Sequence, residues 1–486
     1  MSKAPAHPPS VEQLARSLHS TGLPHPMLVD VARTAIAAGT AEHAYSIAKD
    51  TARRMLRPVI NGTGTLLHTN LGRAPMAWTH PESYWNLEYD LTNGERGSRS
   101  DTAPKLVAQA CGAEAAIAVN NCAAALMLCL ASLAENRKVL VSRGELVEIG
   151  GGFRIPDVMA RSGAVLVEVG TTNRTRLADY QRGTNDHGDS VAAVLQVHQS
   201  NYKIVGFTEA PQTSELATLN LPLIVDIGSG LLDSRCPWLA GAPPKWLSNE
   251  PAARQTLESG ADLITFSGDK LFGGPQAGII AGRADLVAKC AAHPLARALR
   301  PGALVLGALQ ATALAYLNRD GTAIPFWRMA TLTQESLRSR ASKIGVGSVV
   351  DVASTPGGGT LPGVEIPSAG IALEGDNRGL LRDRQRPIIA RFQKGRTLID
   401  LRTVHPDDDH EVRSALNMEL ETPRKPNEPA QSHDHDAQPN PQDTLRTEPT
   451  RTTTHNPTTT TTDGSRGSAV HEPGDNNPPE PRDTEQ

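Results

Sequence analysis

The chain has 486 residues, 39% of them hydrophobic and only 3% aromatic, with 5 cysteines and a formal net charge of −4. That length calls for two or three structured units rather than one core; Cys111, Cys122, Cys129, Cys236 and Cys290 include no CxxC pair, which argues against a disulfide framework or a metal site and for a reducing cytosol. The opening MSKAPAHPPS lacks the apolar core of a signal peptide, and the longest apolar stretch, Ala303–Leu317, is broken by Gln310 and Thr312, short of the roughly 20 residues that span a bilayer, so no membrane partner is expected.

Residues 1–57 read as a small helical unit. Ser10 and Gln13 have capping-box spacing ahead of LARSLHS. Pro24 and Pro26 then break the chain. A second helix covers about Met27–Ala38 and stops at Gly39; a third starts at Thr40 as N-cap and ends before Pro58. That helix closes on Arg53, Arg54 and Arg57, and the unit holds 7 basic against 4 acidic residues. Cations suit a helix C-terminus; phosphate contact is the alternative, and charge alone favours the first reading.

Residues 58–325 show the alternation of a parallel α/β sheet. AAIAVN, KVLVS, AVLVEVG, VAAVLQV, LPLIVDIG, ADLITFS and AGIIAG are the strands. Ligands of such sheets lie on the loops that follow the C-terminal strand ends. From 326 to 420 the rhythm changes to a helix at Leu332–Lys343, a glycine turn at Gly357-Gly358-Gly359 and the short strands SAGIALEG and GRTLIDLRT, the signature of a smaller α+β domain. Residues 421–486 carry 12 acidic and 6 basic residues, 11 prolines and no aromatic. They cannot bury enough apolar surface to offset their ordering entropy, so a disordered acidic Pro/Thr-rich tail is expected. His433 and His435 within it read as solvated, not as a metal site.

The strongest local signal is ADLITFSGDKLFGGPQAGIIAG, residues 261–282. Lys270 stands at a strand end among small residues, where a cofactor can approach closely. A lysine in such a pocket has its ammonium form disfavoured and becomes a nucleophile or base; the natural chemistry is a Schiff base to pyridoxal phosphate. That ring needs a carboxylate at its nitrogen, and Asp226 ends LPLIVD ahead of Gly228-Ser229-Gly230; a turn-capping Asp is the alternative. The cofactor phosphate needs N–H groups at a helix start. Asn121, Cys122 and Ala123 lie where a strand gives way to a helix, and Ser267 offers a hydroxyl. Cys122 has no neighbouring base and reads as a packing or backbone residue rather than a nucleophile. His198 follows another strand; it either stacks on the cofactor, touches substrate, or is a satisfied core histidine. Arg96 and Arg99 in GERGSRS, Arg297 and Arg300 in HPLARALRP, and Arg143 and Arg154 are either oxyanion ligands or surface ion-pair formers, with Glu145 and Glu148 as partners or substrate contacts.

INGTGTLLHTNLGRAP, NLEYDL, RGSR, SRGELVEIGGGFRIPD, VEVGTTNRTRLADY, VHQSNYKIVGFTE and TFSGDKLFGGPQAGIIAG, in this order over about 10–405, closely resemble the bacterial L-seryl-tRNA(Sec) selenium transferases, or selenocysteine synthases. The resemblance implies an aspartate-aminotransferase-like (fold type I) enzyme that uses pyridoxal 5′-phosphate. It would turn seryl-tRNA(Sec) into selenocysteinyl-tRNA(Sec) with selenophosphate, through a cofactor aldimine and an aminoacrylyl intermediate. Lys270 matches the Schiff-base lysine, and Arg96, Arg297 and Arg300 match arginines that hold the phosphate-like donor. The resemblance also implies a tRNA-binding role for 1–57, a cytoplasmic location and a ring-shaped homodecamer. Cys122 stands where a third Asn is common and Phe272 where Leu is usual; the Gly241–Glu250 loop and the tail also depart. Two other readings compete: a pyridoxal-phosphate lyase or transferase acting on a small amino acid, against which the helical unit 1–57 argues, and a non-catalytic tRNA-binding protein, against which Lys270, Asp226 and the arginines argue.

Overall fold

The Ser10 hydroxyl accepts the Gln13 N–H at 3.2 Å and opens helix α1 (Val11–Ser17), as its spacing predicts. The computed structural model describes residues 9–149 and 152–421; the rest of the acidic tail lies outside the described residues. Helix α2 (His25–Ala37) starts earlier than its prolines suggest, because Pro26 sits in the first turn, where a missing N–H breaks no intrahelical bond. The third helix starts later than expected. Ala41–His43 is a single 3-10 turn, and α3 covers Ala44–Arg53. Thr40 does not cap it; its hydroxyl donates back to the Ala35 carbonyl. These helices close on Ala15, Leu18, Leu28, Ala32, Ala35 and Ala48, a core dominated by side chains that bury little area at about 25 cal/mol per Å². Lys49, at 2.9 Å, and Arg53 both reach Asp383 in the C-terminal half.

The strands follow as β1 (Ile60–Gly62), β2 (Thr65–Leu67), β3 (Ala115–Val119), β4 (Lys138–Ser142), the short antiparallel pair β5 (Glu148–Ile149) and β6 (Phe153–Arg154), then β7 (Val165–Val169), β8 (Val191–Val197), β9 (Leu223–Gly228), β10 (Leu263–Ser267) and β11 (Gly278–Gly282). All seven apolar runs enter one seven-stranded sheet, in the order β3-β11-β10-β9-β8-β4-β7. The sheet is not wholly parallel, which corrects the expectation: β11 runs antiparallel to both β10 and β3. The Gly268–Ala277 connection holds no helix, so the chain turns back beside β10 instead of crossing over.

Alternate side chains of the central strands enter two apolar layers. Val225, Ile227, Ile264 and Phe266 face one; Ile224, Leu263, Leu195 and Ile280 face the other, with helix Cys122–Ala134. Asp226, between Val225 and Ile227, therefore points to the side of that helix.

The second sheet adds β12 (Ser348–Gly357), β13 (Ile366–Glu374), β14 (Ile388–Gln393) and β15 (Arg396–Asp400), in the order β1-β14-β15-β13-β12-β2. Residues 60–67, which the chain rhythm places with the large sheet, pair instead with these C-terminal strands: β1 lies parallel to β14 and β2 parallel to β12. Pairing across such a sequence separation leaves no local periodicity to read. Ile60, Leu337, Ile371, Ile399 and Val412 form this sheet's core. Its helix Gln334–Ile344 is capped by Thr333, whose hydroxyl accepts the Ser336 N–H at 3.1 Å. Among the described residues no helix is long and apolar enough to cross a membrane.

Candidate active site

The loop after β10 is pinned at several points. The Leu271 N–H donates to the Ser229 carbonyl and the Gly274 N–H to the Gly268 carbonyl, each at 2.8 Å. Phe272 is fully buried against Phe266 and Tyr316, and its carbonyl accepts the Tyr316 hydroxyl at 2.8 Å. This anchoring holds Lys270 at 6% exposure. Its Nζ donates to the Gly359 carbonyl at 3.1 Å.

Asp226 on β9 is 5% exposed. Its Oδ1 accepts the Gly228 N–H at 3.0 Å and the Cys122 thiol at 3.3 Å. Burial pushes this carboxyl up, while the Cys122 thiol and the Lys270 charge pull it back. Burial, with Asp226 next, drives the Cys122 thiol well above its ordinary range, so it offers no thiolate at neutral pH. Asn121 caps the helix that Cys122 and Ala123 open, its side chain accepting the Ala124 N–H at 2.9 Å. First-turn N–H groups of a helix have no intrahelical acceptor. Gly278 allows this turn to lie on β11, because a Cβ there would stand 2.0 Å from the Asn121 carbonyl.

Lys270 thus lies close enough for its charge to act on Asp226, which Cys122 touches, with Asn121 and Ala123 adjoining. Ser267 closes β10 opposite Gly278. The His198 N–H donates to the Asp226 carbonyl at 2.9 Å, and its ring Nε2 lies 3.5 Å from Oε2 of buried Glu250. His198 is held at the sheet edge by a carboxylate that sequence reading missed. Arg73 and Asp269 were missed too. Arg73 Nε is 3.6 Å from Asp269 Oδ2, and its Nη1 donates to the Gly358 carbonyl at 3.4 Å, next to the carbonyl that holds Lys270. NLGRAP and SGDK contain both residues, but nothing local joins them.

The arginines form a separate group. Glu88 gathers Arg96 at 3.1 Å, Arg300 at 3.2 Å, and Arg99. Arg99, then Arg96 and Arg300, hold its carboxyl below the usual range. Arg297 joins them around a cavity of about 360 Å³ whose lining excludes Lys270, Asp226 and His198. Backbone connects the two groups: the Asn120 N–H donates to the Leu299 carbonyl at 2.9 Å, beside Arg300 on one side and Asn121 on the other. Arg143 and Arg154 do form ion pairs, with Glu168 and Glu148, each at 2.7 Å. Glu145 pairs with neither Arg143 nor Arg154. It is buried and accepts the Val197 N–H at 2.9 Å, and burial pushes its carboxyl up to about 8. Among the described residues no group of side chains is placed to hold a metal ion.

The family model described as SelA, L-seryl-tRNA selenium transferase, matches residues 59–405. The chain is 45% identical over 400 residues to the L-seryl-tRNA(Sec) selenium transferase of Moorella thermoacetica, covering 76% of this chain and 83% of that one. It is 44% identical over 391 residues to the protein of that name from Geobacter sulfurreducens, covering 74% and 82%. Among solved structures, D-glucosaminate-6-phosphate ammonia-lyase shares the fold, with 20% identity, a TM-score of 0.50 and coverage of 75% of this chain and 96% of that one.

Proposed function

Because the chain belongs to the L-seryl-tRNA(Sec) selenium transferase family, we propose that it converts L-seryl-tRNA(Sec) to L-selenocysteinyl-tRNA(Sec), with selenophosphate as the selenium donor. The observation that carries this reading is the burial of Lys270 and Asp226 within reach of each other's charge at the C-terminal ends of β10 and β9, beside the start of helix Cys122–Ala134. The fold is the aspartate-aminotransferase-like α/β fold (fold type I), and the cofactor is pyridoxal 5′-phosphate.

The residues present fit that cofactor. A buried carboxylate calls for a cationic partner, and a protonated ring nitrogen at Asp226 supplies one. The N–H groups of Cys122 and Ala123 at the helix start would hold the phosphate, with the Ser267 hydroxyl as a further donor. His198 stands at the same sheet edge, its ring set by Glu250. When bound, the cofactor supplies an electron sink for charge developing at the seryl Cα. Lys270 Nζ anchors it and then carries the proton to and from Cα. The surrounding Phe272, Phe266 and Tyr316 exclude water from the root of this lysine loop. Arg96, Arg297 and Arg300 hold the donor's oxyanion by charge-assisted hydrogen bonds, and Glu88 fixes Arg96 and Arg300 in place.

In the same reading residues 1–57 bind the tRNA, 58–325 carry the cofactor and 326–420 close the site. Lys49 and Arg53 are engaged with Asp383, so a tRNA phosphate there would exchange one anion for another. The exposed side chains of Tyr84, Leu91 and Leu304 support self-association, with the homodecamer as the expected form. The free, mostly buried cysteines support a cytoplasmic location.

The test is product analysis with purified protein, seryl-tRNA(Sec) and selenophosphate. Wild type yields selenocysteinyl-tRNA, and Lys270→Ala is slower by at least about 1000-fold. No product from wild type, with turnover of a free amino acid instead, replaces this reading with a small-substrate enzyme.

A further inference from the structure

A further cavity borders the lysine group through Arg73 and shares no lining residue with the arginine cavity. It encloses about 530 Å³ between β1, the turn Leu71–Ala77, helix Pro325–Ala330 and the segment Arg402–Asp408, a volume typical of small-molecule sites. Its walls are largely aliphatic, with Ile60, Leu66, Met76, Met329 and Val404 among them. Four arginines also line it: Arg73, Arg328, Arg386 and Arg402. Asp408 is the sole acidic lining residue, and it is paired with Arg386.

Arg402 is 1% exposed. It donates to the Met329, Leu332 and Pro367 carbonyls at 2.9, 2.8 and 2.6 Å, while its Nε–H has no acceptor among the described residues. Among the described residues no carboxylate pairs with Arg328 either. A cavity with a surplus of half-buried guanidinium charge and aliphatic walls suits a ligand with an anionic end and an apolar body.

Its position narrows the choice. Arg73 belongs both to this cavity and to the surroundings of the reacting amine. A Cβ on Gly359 would stand 3.6 Å from Lys270 Nζ and 3.9 Å from Arg73 Nη1. Arg73 therefore links the cavity to the surroundings of Lys270 Nζ.

We propose that the cavity receives the 3′-terminal nucleotide of the acylated RNA, with Arg328 contacting its phosphate and the aliphatic wall taking its base. The proposal rests on the reaction assigned above. It makes the terminal adenosine a recognition element separate from the RNA contacts of residues 1–57.

The test uses full-length protein, with adenosine 5′-monophosphate and inorganic phosphate as probes in equilibrium dialysis. Wild type binds the nucleotide at least about tenfold more tightly than phosphate, and Arg328→Ala weakens nucleotide binding at least about tenfold, the worth of one charge-assisted contact. Arg328→Lys recovers part of that loss, which a folding defect would not. In turnover, Arg328→Ala raises KM for seryl-tRNA(Sec) with kcat little changed, while binding of tRNA(Sec) lacking its terminal adenosine is the same for wild type and variant. Nucleotide binding no tighter than phosphate, or unaffected by Arg328→Ala, overturns the proposal even if selenocysteinyl-tRNA is formed. Arg328-dependent nucleotide binding without that product leaves the nucleotide site standing and removes the assigned reaction.

Discussion

Lys270 with Asp226 and the arginines around Glu88 lie near one sheet edge, yet they are built on opposite terms. Lys270 and Asp226 are 6% and 5% exposed and are set by strand ends and a pinned loop, whereas Arg96 is 77% exposed at its side chain and is held by ion pairs to Glu88. In the first group the core fixes the geometry, and the low dielectric strengthens the interaction between charges while it disfavours each charge alone. In the second, water and salt screen the contact of Arg96 most, and the Glu88 carboxylate keeps like charges together. The same kinds of charged side chain are therefore held in two ways: a buried pair fixed by the core and a more exposed cluster fixed by ion pairs, which the proposed function uses as reacting centre and anion site.

The sharpest way to break this contrast is at Asp226. Asp226→Asn keeps the shape and removes the charge; we expect kcat/KM to fall about 100-fold with little change in melting temperature. A fall of twofold or less in steady-state assays would mean that no cation faces this residue. Glu145 tests burial without catalysis. Its folded carboxyl stands at about 8 against an ordinary 4.5, so its contribution to stability is complete below about pH 4.5 and is lost as pH rises to about 8. Urea titrations should show wild type losing stability relative to Glu145→Gln across that window, by up to about 1.4 kcal/mol per pH unit; parallel curves would show that Glu145 is not desolvated. On the exposed side, Arg300→Ala should raise KM for selenophosphate about tenfold, leave kcat nearly intact and flatten the salt dependence of kcat/KM. An equal fall in kcat would place Arg300 with the reacting centre. The smallest effect belongs to Asp383→Ala, which removes the partner of Lys49 and Arg53 and should cost less than about 1 kcal/mol in chemical denaturation.

Much of the grouping around Lys270 was legible because local chemistry and strand position coincide there. TFSGDK puts a lysine just past an apolar strand, LPLIVD ends another on an acid, and AVNNCAAAL passes from strand to helix. The structure brings these ends together because neighbouring strands β9 and β10 lie parallel in one sheet. The arginine segments were visible but not their organiser. Glu88 in NLEYDL lies 212 positions from Arg300, and no periodicity connects them. Of the two readings of Glu145, the ion pair fails for a related reason: a carboxylate flanked by arginines in sequence looks paired, but its chain position turns it inward to the Val197 N–H.

By itself the sequence determined the apolar runs of the large sheet, the Ser10 cap, the lysine loop and the charge contrast between body and tail, since each depends on neighbours along the chain. Only the tertiary structure decided that β11 runs antiparallel, that residues 60–67 join the C-terminal sheet, that Arg73 meets Asp269 and the Gly358 carbonyl, and that Arg328 and Arg402 share a cavity with it. Except for β11, which turns back beside β10 through the helix-free Gly268–Ala277 connection, those features depend on contacts between segments far apart in the chain, where burial and hydrogen-bond satisfaction of the whole molecule, rather than local propensity, select the partner.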